Sequence, residues 1–294
     1  MDLLATDLDI LSLCAISAAN QAGQYIAQMM DRRVAIQRKL GGDSLASQVV
    51  TEVDIHCQEM IVQILQSSID RYDLGLLTEE SIDDQSRFRK DYFWCVDPLD
   101  GTLAFVEKTA GYAVSIALLS KSGVPMIGVV YDPVEHTLYH AIRGRGAFRN
   151  GTPWQWKSTD RYEGKPFTFL ADRNFSAHPR REQILEMLEQ IIHDRGYSEL
   201  VIETRGGSVM NACWTLERAP ACFFKLPKPA NGGGCLWDYA ATACLFTEAV
   251  AVYSDMSKQP LELNSNKSLY LNHCGVLYTS DEVLAKVISD WYLC

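Results

Sequence analysis

The sequence predicts an α+β protein in which helices and sheets form packed layers. Apolar residues recur at helical spacing over residues 7–31, whereas residues 112–131 form two apolar runs around a Lys-Ser-Gly turn, as in a β-hairpin. Beyond residue 167, short apolar strands alternate with helices. The chain has 294 residues, enough for one large or two medium domains, and its 47% hydrophobic and 22% charged residues are typical of a globular protein.

The N-terminal half combines two helices with a series of strands. The first helix covers residues 7–31, with Leu8, Leu11 and Ile26 among its core candidates, and Thr51 and Asp54 open the second. Strands are predicted at residues 74–77, 92–96, 112–120, 124–131, 138–142 and 147–149. Loops or turns are predicted at residues 41–44 and 150–151.

The C-terminal half alternates strands with helices. Strands are expected at residues 167–171, 199–203, 221–225 and 251–253. Helices are expected at residues 179–193, 207–216, 238–248 and 280–291. A polar stretch from residue 154 to residue 165 separates the halves, so we divide the chain into subdomains 1–155 and 156–294.

Net charge and cysteine content restrict the class of protein. A net charge of −10 argues against binding nucleic acid or an anionic membrane through a general basic surface. Nine cysteines without a CxxC pair lie mostly in apolar runs, which indicates reduced core thiols in a cytoplasmic protein. The acidic N-terminus does not resemble a signal peptide, and no apolar run is long enough to span a membrane. None of the six histidines has HExxH spacing, so a zinc hydrolase is not expected.

The strongest chemical signal is the sequence WCVDPLDGT. An apolar strand ends at Asp97, Pro98 keeps Asp97 extended, and Asp100 follows. Gly101 allows close backbone approach, and Thr102 can open a helical turn whose free N–H groups suit an anion. Because carboxylates hold hard divalent cations, these features predict a metal-assisted phosphate site. The DPLDG segment by itself also fits an ordinary turn.

Three further places put acids where an apolar run ends or a helix begins. They are Asp54 at the second helix start, Glu79 and Glu80 after a Leu-rich strand, and Asp238 after a tryptophan. Such acids converge readily, because a rigid scaffold holds strand ends and helix starts in place. Taken singly, they also fit a helix-start acid, a solvated loop pair and an N-cap.

The order of these acids resembles the signature of the inositol monophosphatase family, and the resemblance runs from Asp54 to about Tyr253. It implies a magnesium-dependent, lithium-sensitive phosphomonoesterase with a layered α/β/α/β/α sandwich fold. Within the family, the sequence is most similar to CysQ-type 3'(2'),5'-bisphosphate nucleotidases. The points of similarity, besides the central motif, are Phe93-Trp94, Phe105, Ser115-Ile116-Ala117, Gly128-Val129-Val130-Tyr131 and Pro133.

The resemblance implies a site for two to three Mg²⁺ ions with oxygen ligands. The ligands of the first ion are Glu79, Asp97 and the carbonyl group of Leu99. Those of the second ion are Asp97, Asp100 and Asp238. A third, weaker ion lies near Glu79, and Glu80 orients ligands or water. Subdomain 1–155 thus carries most of the ligands, and subdomain 156–294 completes the site.

The resemblance also implies a catalytic pair and a substrate pocket. Asp54 and Thr102 orient and deprotonate the attacking water, next to the catalytic metal ligand Glu79. The residues that contact the substrate are Asp100, Gly101, Thr102, Gly207, Ser208, Lys225 and Asp238. Two metal ions can stabilise both the attacking and the leaving oxygens of a phosphate ester.

The chain departs from the family pattern at three places. Thr242 replaces the usual glycine after Trp-Asp, and Val250-Ala251 replaces a Gly-Gly pair. Where inositol monophosphatases carry an acid that grips ring hydroxyls, this chain has Lys225 and Lys228. These lysines suit a second phosphate group, or they are ordinary surface lysines.

The sequence therefore favours a bisphosphate nucleotidase that hydrolyses the 3'-phosphate of 3'-phosphoadenosine 5'-phosphate with a metal-activated water. One alternative keeps the chemistry and changes the substrate to an inositol or sugar phosphate. The other is a catalytically silent scaffold that binds metal or nucleotide. The expected partner is a small phosphorylated molecule, with no nucleic acid or membrane, for a protein that is a monomer or a homodimer.

Overall fold

A computed structural model describes residues 3–32, 34–38, 49–154, 162–232 and 234–294. Within these residues the chain forms seven α-helices, a seven-stranded sheet, a five-stranded sheet and a two-stranded ribbon. The loop predicted at residues 41–44 and the subdomain boundary predicted after residue 155 lie outside the described residues.

The first two helices pack against each other and against one face of the larger sheet. α1 (Ala5–Met29) buries a stripe of residues at helical spacing, namely Leu8, Leu11, Ala15, Ala18, Ala22 and Ile26. A ribbon of β1 (Ile36–Arg38) and β2 (Val49–Thr51) leads into α2 (Glu52–Tyr72). Both helices confirm the sequence prediction.

The larger sheet contains seven strands in chain order. The strands are β3 (Gly75–Thr78), β4 (Tyr92–Asp100), β5 (Ala113–Ser120), β6 (Pro125–Asp132), β7 (Thr137–Ile142), β8 (Ala147–Arg149) and β9 (Thr152–Pro153). β3 runs parallel to β4, and every later neighbour is antiparallel. A 3-10 turn (Ser86–Phe88) precedes β4, and the five-residue helix α3 (Thr102–Val106) follows it directly.

The second sheet has the strand order β11-β10-β12-β14-β13. Its strands are β10 (Phe167–Leu170), β11 (Leu200–Glu203), β12 (Ala221–Lys225), β13 (Val252–Ser254) and β14 (Val276–Thr279). The helices between and after them are α4 (Arg181–Arg195), α5 (Ser208–Glu217), α6 (Leu236–Ala249) and α7 (Glu282–Leu293), with a 3-10 turn at Arg173–Ala177. β10, β11 and β12 are parallel, because helices connect them.

The elements stack as five layers. α1 and α2 cover the outer face of the larger sheet, α5 and α6 lie between the two sheets, and α4 and α7 cover the outer face of the smaller sheet. Strand alternation divides the core accordingly: Phe223 on β12 faces α5 and α6, whereas Cys222 and Phe224 face α4 and α7. The predicted α/β/α/β/α sandwich is confirmed. The middle core draws residues from both predicted subdomains.

One strand boundary needs correction, and the strands β1, β2, β9 and β14 were not predicted. β4 continues to Asp100 instead of ending at residue 96, since the polar motif keeps pairing with β5. β14 was not predicted, because a four-residue apolar run just before a helix cannot be told from a helix start by periodicity. Its residues Val276 to Thr279 pair with both β12 and β13.

Two of the three departures from the family pattern concern α6: Thr242 lies within this helix, and Val250 directly follows it. The Thr242 hydroxyl is buried and donates a 3.1 Å hydrogen bond to the backbone carbonyl of Tyr239. Val250 is the C-cap residue and adopts a left-handed conformation with φ of 60°. Glycine is the residue that adopts this conformation without strain, which explains the family's glycine at this position.

The nine cysteines all lie in the described residues, and none forms a disulfide. Six are buried, two are half-buried and Cys294 is exposed. Among the described helices, none combines the length and the apolar character that crossing a membrane requires.

Candidate active site

An irregularity in β4 turns two aspartates to the same side of the sheet. Asp97 pairs with Ser115 of β5 and Asp100 pairs with Ala113, so three steps along β4 correspond to two along β5. In a regular strand, side chains three residues apart point to opposite faces. The extra residue is a β-bulge, and Pro98 fits there because it has no N–H group to donate.

Asp238 and Asp54 reach the site from two helix starts. Each is the third residue of its helix, and one carboxylate oxygen accepts the N-cap N–H: Cys235 N to Asp238 Oδ2 is 2.5 Å, and Thr51 N to Asp54 Oδ2 is 2.8 Å. The helix dipole stabilises both negative charges. Because one oxygen of each carboxylate is anchored, the other is presented to the site in a defined direction.

The predicted convergence of Asp97, Asp100 and Asp238 is present. Carboxylate oxygens of the three residues lie within 4.8 Å of one another. Burial, followed by the charge of Glu79, raises the pKa of Asp97 well above its usual range and that of Asp238 to about 6. Burial and the charge of Asp238 raise the pKa of Asp100 in the same direction. The cluster thus concentrates negative charge that a cation would relieve.

Glu79 and Glu80 follow β3, which ends beside β4. The carboxyl group of Glu79 forms a hydrogen bond with Asp97, and its backbone N–H donates to Val96 O at 3.1 Å. Glu79 therefore borders the cluster. Glu80 is half-buried, and its N–H donates to Gln58 Oε1 of α2 at 2.8 Å.

Asp54 and Thr102 form a buried hydrogen-bonded pair. Thr102 Oγ1 lies 2.8 Å from Asp54 Oδ1 and 3.1 Å from the carbonyl oxygen of Leu99. Burial is the main reason that the pKa of Asp54 rises to about 6, while hydrogen bonds from Thr51 and Thr102 oppose the rise. The pair connects the start of α2 to the DPLDGT motif, so it lies beside the acidic cluster.

Gly101 and Gly207 allow close approach in the site. Gly101 has φ of 82°, and a Cβ atom there would lie 2.8 Å from Gly111 O. A Cβ atom on Gly207 would lie 2.2 Å from Asp100 Oδ2, so only glycine fits against this carboxylate. The start of α5 also holds the Asp100 carboxylate, because the Val209 N–H donates to Asp100 Oδ2 at 2.9 Å.

Lys225 does not lie free on the surface. Its Nζ atom is 3.0 Å from Ser208 Oγ and 2.9 Å from Asp172 Oδ1, and its side chain is 14% exposed. Ser208 also forms a hydrogen bond with Tyr239. The sequence analysis missed Asp172, although the rule applied to the other acids would have found it, since Asp172 directly follows the apolar run of residues 167–171.

The acidic cluster fits a hard divalent cation. All candidate donors are carboxylate or carbonyl oxygens, which Mg²⁺ prefers. Burial and the charges of neighbouring carboxylates raise the pKa values of Asp97, Asp100 and Asp238, and a divalent cation would relieve this repulsion. A bound Mg²⁺ ion would lower the pKa of water and offset negative charge on a phosphate group.

The sequence and the fold of the chain are similar to those of known proteins. The model of the inositol monophosphatase family matches residues 7–291. The chain is 26% identical over 255 residues to the inositol-1-monophosphatase of Bacillus subtilis (strain 168), covering 85% of this chain and 86% of that protein. It is 29% identical over 251 residues to Nus factor SuhB of Escherichia coli (strain K12), covering 83% of this chain and 84% of that protein. The Thermotoga maritima IMPase structure superimposes with a TM-score of 0.72 at 21% identity, covering 97% of this chain and 98% of that one.

The family match, the five-layered sandwich and the cluster of carboxylates at strand and helix ends all indicate the same class of protein. Together they define a metal-dependent phosphomonoesterase. The family match extends over nearly the whole chain. The chain belongs to the inositol monophosphatase family. The family resemblance and the enzyme class predicted from the sequence are therefore confirmed.

Metal binding and pH should be linked through this cluster. We expect Mg²⁺ to raise the melting temperature at both pH values. The rise at about pH 7.5 should exceed the rise at about pH 5 by about 4 °C or more. Asp97, Asp100 and Asp238 have pKa values raised above 3.8 in the folded protein, so the metal-free fold binds protons that the unfolded chain releases. Its stability therefore falls as pH rises from about 3.8 to about 6, and Mg²⁺ offsets this loss by replacing the protons. Differential scanning fluorimetry in Mg²⁺ or EDTA measures the difference.

The Asp238→Asn variant provides the control for this experiment. It removes one carboxyl group whose pKa is raised, so the rise in melting temperature caused by Mg²⁺ at the higher pH should be smaller than in the unmodified protein. Equal Mg²⁺ shifts at both pH values in the unmodified protein would contradict the assignment of the cluster as the metal site.

Proposed function

We propose that this phosphomonoesterase uses two to three Mg²⁺ ions and a water nucleophile. The observation that carries the proposal is the group of three carboxylates, two buried and one half-buried, whose oxygens lie within 4.8 Å of one another. Glu79, Asp97 and the Leu99 carbonyl group hold the first ion. Asp97, Asp100 and Asp238 hold the second, and a third, weaker ion lies near Glu79. Glu80, anchored to α2, orients these ligands or their water.

Asp54 and Thr102 act as the catalytic pair in this proposal. The Thr102 hydroxyl donates a hydrogen bond to Asp54 Oδ1 in the free site. The lone pairs of Thr102 Oγ1 therefore remain available to orient water. Asp54, with a pKa of about 6, is ionised at neutral pH and accepts the proton that the water loses. The backbone N–H groups of Gly101 and Thr102 start a helix and hold the phosphate oxygens.

The leaving group lies against Gly207, Ser208 and Lys225. We infer that 3'-phosphoadenosine 5'-phosphate is the first candidate substrate, because Lys225 supplies a positive charge at the wall of the site. Its neighbours Asp172, Tyr239 and Asp238 raise its pKa, although burial by itself would lower it, so the ammonium group stays charged. A second phosphate group is a suitable partner for such a charge.

An inositol or sugar phosphate is the second candidate. Two observations favour it: the Bacillus subtilis relative is named an inositol-1-monophosphatase, and Asp172 already neutralises Lys225. A polyol leaving group would not compete with this ion pair. The two candidates share the same metal chemistry and differ only in what the leaving group offers to Lys225.

Release of inorganic phosphate from both substrates, with Mg²⁺ and with EDTA, tests the proposal. We expect release from 3'-phosphoadenosine 5'-phosphate to be faster than from inositol 1-phosphate, and EDTA to abolish both. Faster release from inositol 1-phosphate would overturn the nucleotide assignment and leave the enzyme class intact. No release from either substrate would favour the catalytically silent scaffold.

We also infer that the protein acts on small phosphorylated molecules in the cytoplasm, as a monomer or a homodimer. A net charge of −10 supports a small substrate over nucleic acid, since a phosphate backbone needs a basic surface. The name Nus factor belongs to the Escherichia coli relative.

A further inference from the structure

A partly buried ion pair lies at the wall of the proposed leaving-group pocket. Lys225 ends β12, and Asp172 follows β10, its parallel neighbour. Nζ of Lys225 lies 2.9 Å from Asp172 Oδ1 and 3.0 Å from Ser208 Oγ. Parallel neighbouring strands end at the same edge of the sheet, which brings these two side chains together.

The ion pair lies beside the acidic cluster. Lys225 is hydrogen-bonded to Ser208, and both neighbours of Ser208 contact Asp100: the Val209 N–H donates to Asp100 Oδ2 at 2.9 Å, and Gly207 packs against the same carboxylate. A leaving group bound next to Asp100 therefore meets both charges of the ion pair. The net charge of the pair is what decides whether that leaving group should be neutral or anionic.

The two partners are not equally fixed. The Lys225 side chain is 14% exposed, whereas the Asp172 side chain is 41% exposed and lies in the loop after β10. Asp172 can rotate into solvent at a lower cost than Lys225, because 41% of its side chain is already exposed. Lys225 cannot leave without exposing its buried contacts, so an incoming anion would exchange with Asp172 and keep Lys225 in place.

We propose that Asp172 is a specificity-determining residue that competes with an anionic leaving group for Lys225. This inference rests on the proposed function and deepens it. A second phosphate group must displace the Asp172 carboxylate before it can bind Lys225. The bound phosphate then lies near the negative charge of Asp172. A polyol leaves the pair intact and finds in Asp172 an acceptor for its hydroxyl groups. Residue 172 thus sets the preferred charge of the leaving group.

The Asp172→Asn variant tests this role with two substrates that differ only in the second phosphate. These are 3'-phosphoadenosine 5'-phosphate, which is adenosine 3',5'-bisphosphate, and adenosine 3'-monophosphate. Both are assayed by phosphate release with Mg²⁺. We expect the ratio of kcat/KM for the bisphosphate to that for the monophosphate to rise about tenfold, mainly through a lower KM for the bisphosphate. Asp172→Glu keeps the charge and should restore a ratio near that of the unmodified protein.

Asp194→Asn is a matched control variant. Asp194 is an exposed acid in the last turn of α4, the helix that returns the chain from the Asp172 end of the sheet to the other end. The contact between Gly164 N and Gly196 O confirms that the chain after α4 lies next to the residues that precede β10. This variant removes one negative charge far from Lys225, so the substrate ratio should not change.

A binding measurement separates this inference from the proposed function. In the Asp54→Asn background, in which turnover is slowed about a hundredfold or more, calorimetry gives dissociation constants for both nucleotides. Asp172→Asn should lower that of the bisphosphate selectively. An unchanged ratio, an equal change in Asp194→Asn, an equal loss of kcat for both substrates, or binding of neither nucleotide would overturn the role of Asp172. Absence of phosphate release with an altered binding ratio would overturn the proposed function alone.

Discussion

Replacing Asp97 with asparagine is expected to lower kcat/KM for phosphate release at least about a thousandfold. Asp97 lies at the centre of the acidic cluster, hydrogen-bonded to Glu79 and Asp238. Asparagine removes the charge that would bind a cation but keeps the oxygen that accepts the 3.0 Å hydrogen bond from Leu99 N. The local backbone should therefore survive while the metal site loses its shared ligand. Steady-state kinetics at saturating Mg²⁺ measures the effect.

The same substitution should raise the melting temperature of the metal-free protein. Asp97→Asn relieves repulsion among buried carboxylates, so loss of activity and gain of stability should occur together. Asp70→Asn, which alters an exposed acid near the end of α2, should change neither quantity. Phosphate release at the unmodified rate by the Asp97→Asn variant would mean that the activity comes from a contaminant or from another site.

Replacing Asp54 with asparagine is expected to lower kcat about a hundredfold to a thousandfold and to leave the Mg²⁺ requirement nearly unchanged. The Asp54 carboxylate accepts the hydroxyl of Thr102 at 2.8 Å, and an amide cannot take up a proton from water in the same way. Thr102→Val should cause a similar loss, and the double variant should lose little more, because the two residues act as a unit. Thr102→Ser keeps the hydroxyl and should retain most of the activity.

The pH profile distinguishes a catalytic Asp54 from a structural one. The pKa of Asp54 is raised to about 6, mainly by burial, and the active form is the carboxylate. The rate should therefore rise about tenfold per pH unit up to about pH 6 and then level off, and Asp54→Asn should lose this acid limb. Asp70→Asn again serves as control, since residue 70 lies on the same helix about 24 Å away along its axis. The profile is measured at saturating Mg²⁺, because Asp238 also has a pKa of about 6 and its protonation competes with the metal. Under that condition, an acid limb that persists in Asp54→Asn would contradict the role.

Local sequence signals were sufficient for most elements and for the identity of the acids. The apolar stripes of α1 and α2 and the hairpin of β5 and β6 have strong periodicity, so their prediction did not depend on tertiary contacts. Asp54 and Asp238 were found because an acid in the first helical turn has a local physical reason. Neither signal says which acids share a site.

Lys225 illustrates what a local signal omits. From the sequence, a lysine near the expected pocket was either a phosphate ligand or an ordinary surface residue. The structure instead pairs it with Asp172, which lies 53 positions earlier and was not considered. A salt bridge between neighbouring parallel strands depends on sheet order, and short runs of sequence do not encode sheet order.

The sequence by itself determined the fold class, the family and the set of acids, because periodicity, capping and a specific motif are all properties of neighbouring residues. The tertiary structure decided which carboxylates meet, how the bulge at Asp97 turns that side chain toward Asp100, and which acid neutralises Lys225. These features arise where strands and helices distant in the chain are packed together. Burial then raises the pKa values of the converging groups. This burial arises only when several segments of the chain pack together, so it cannot be read from any one of them.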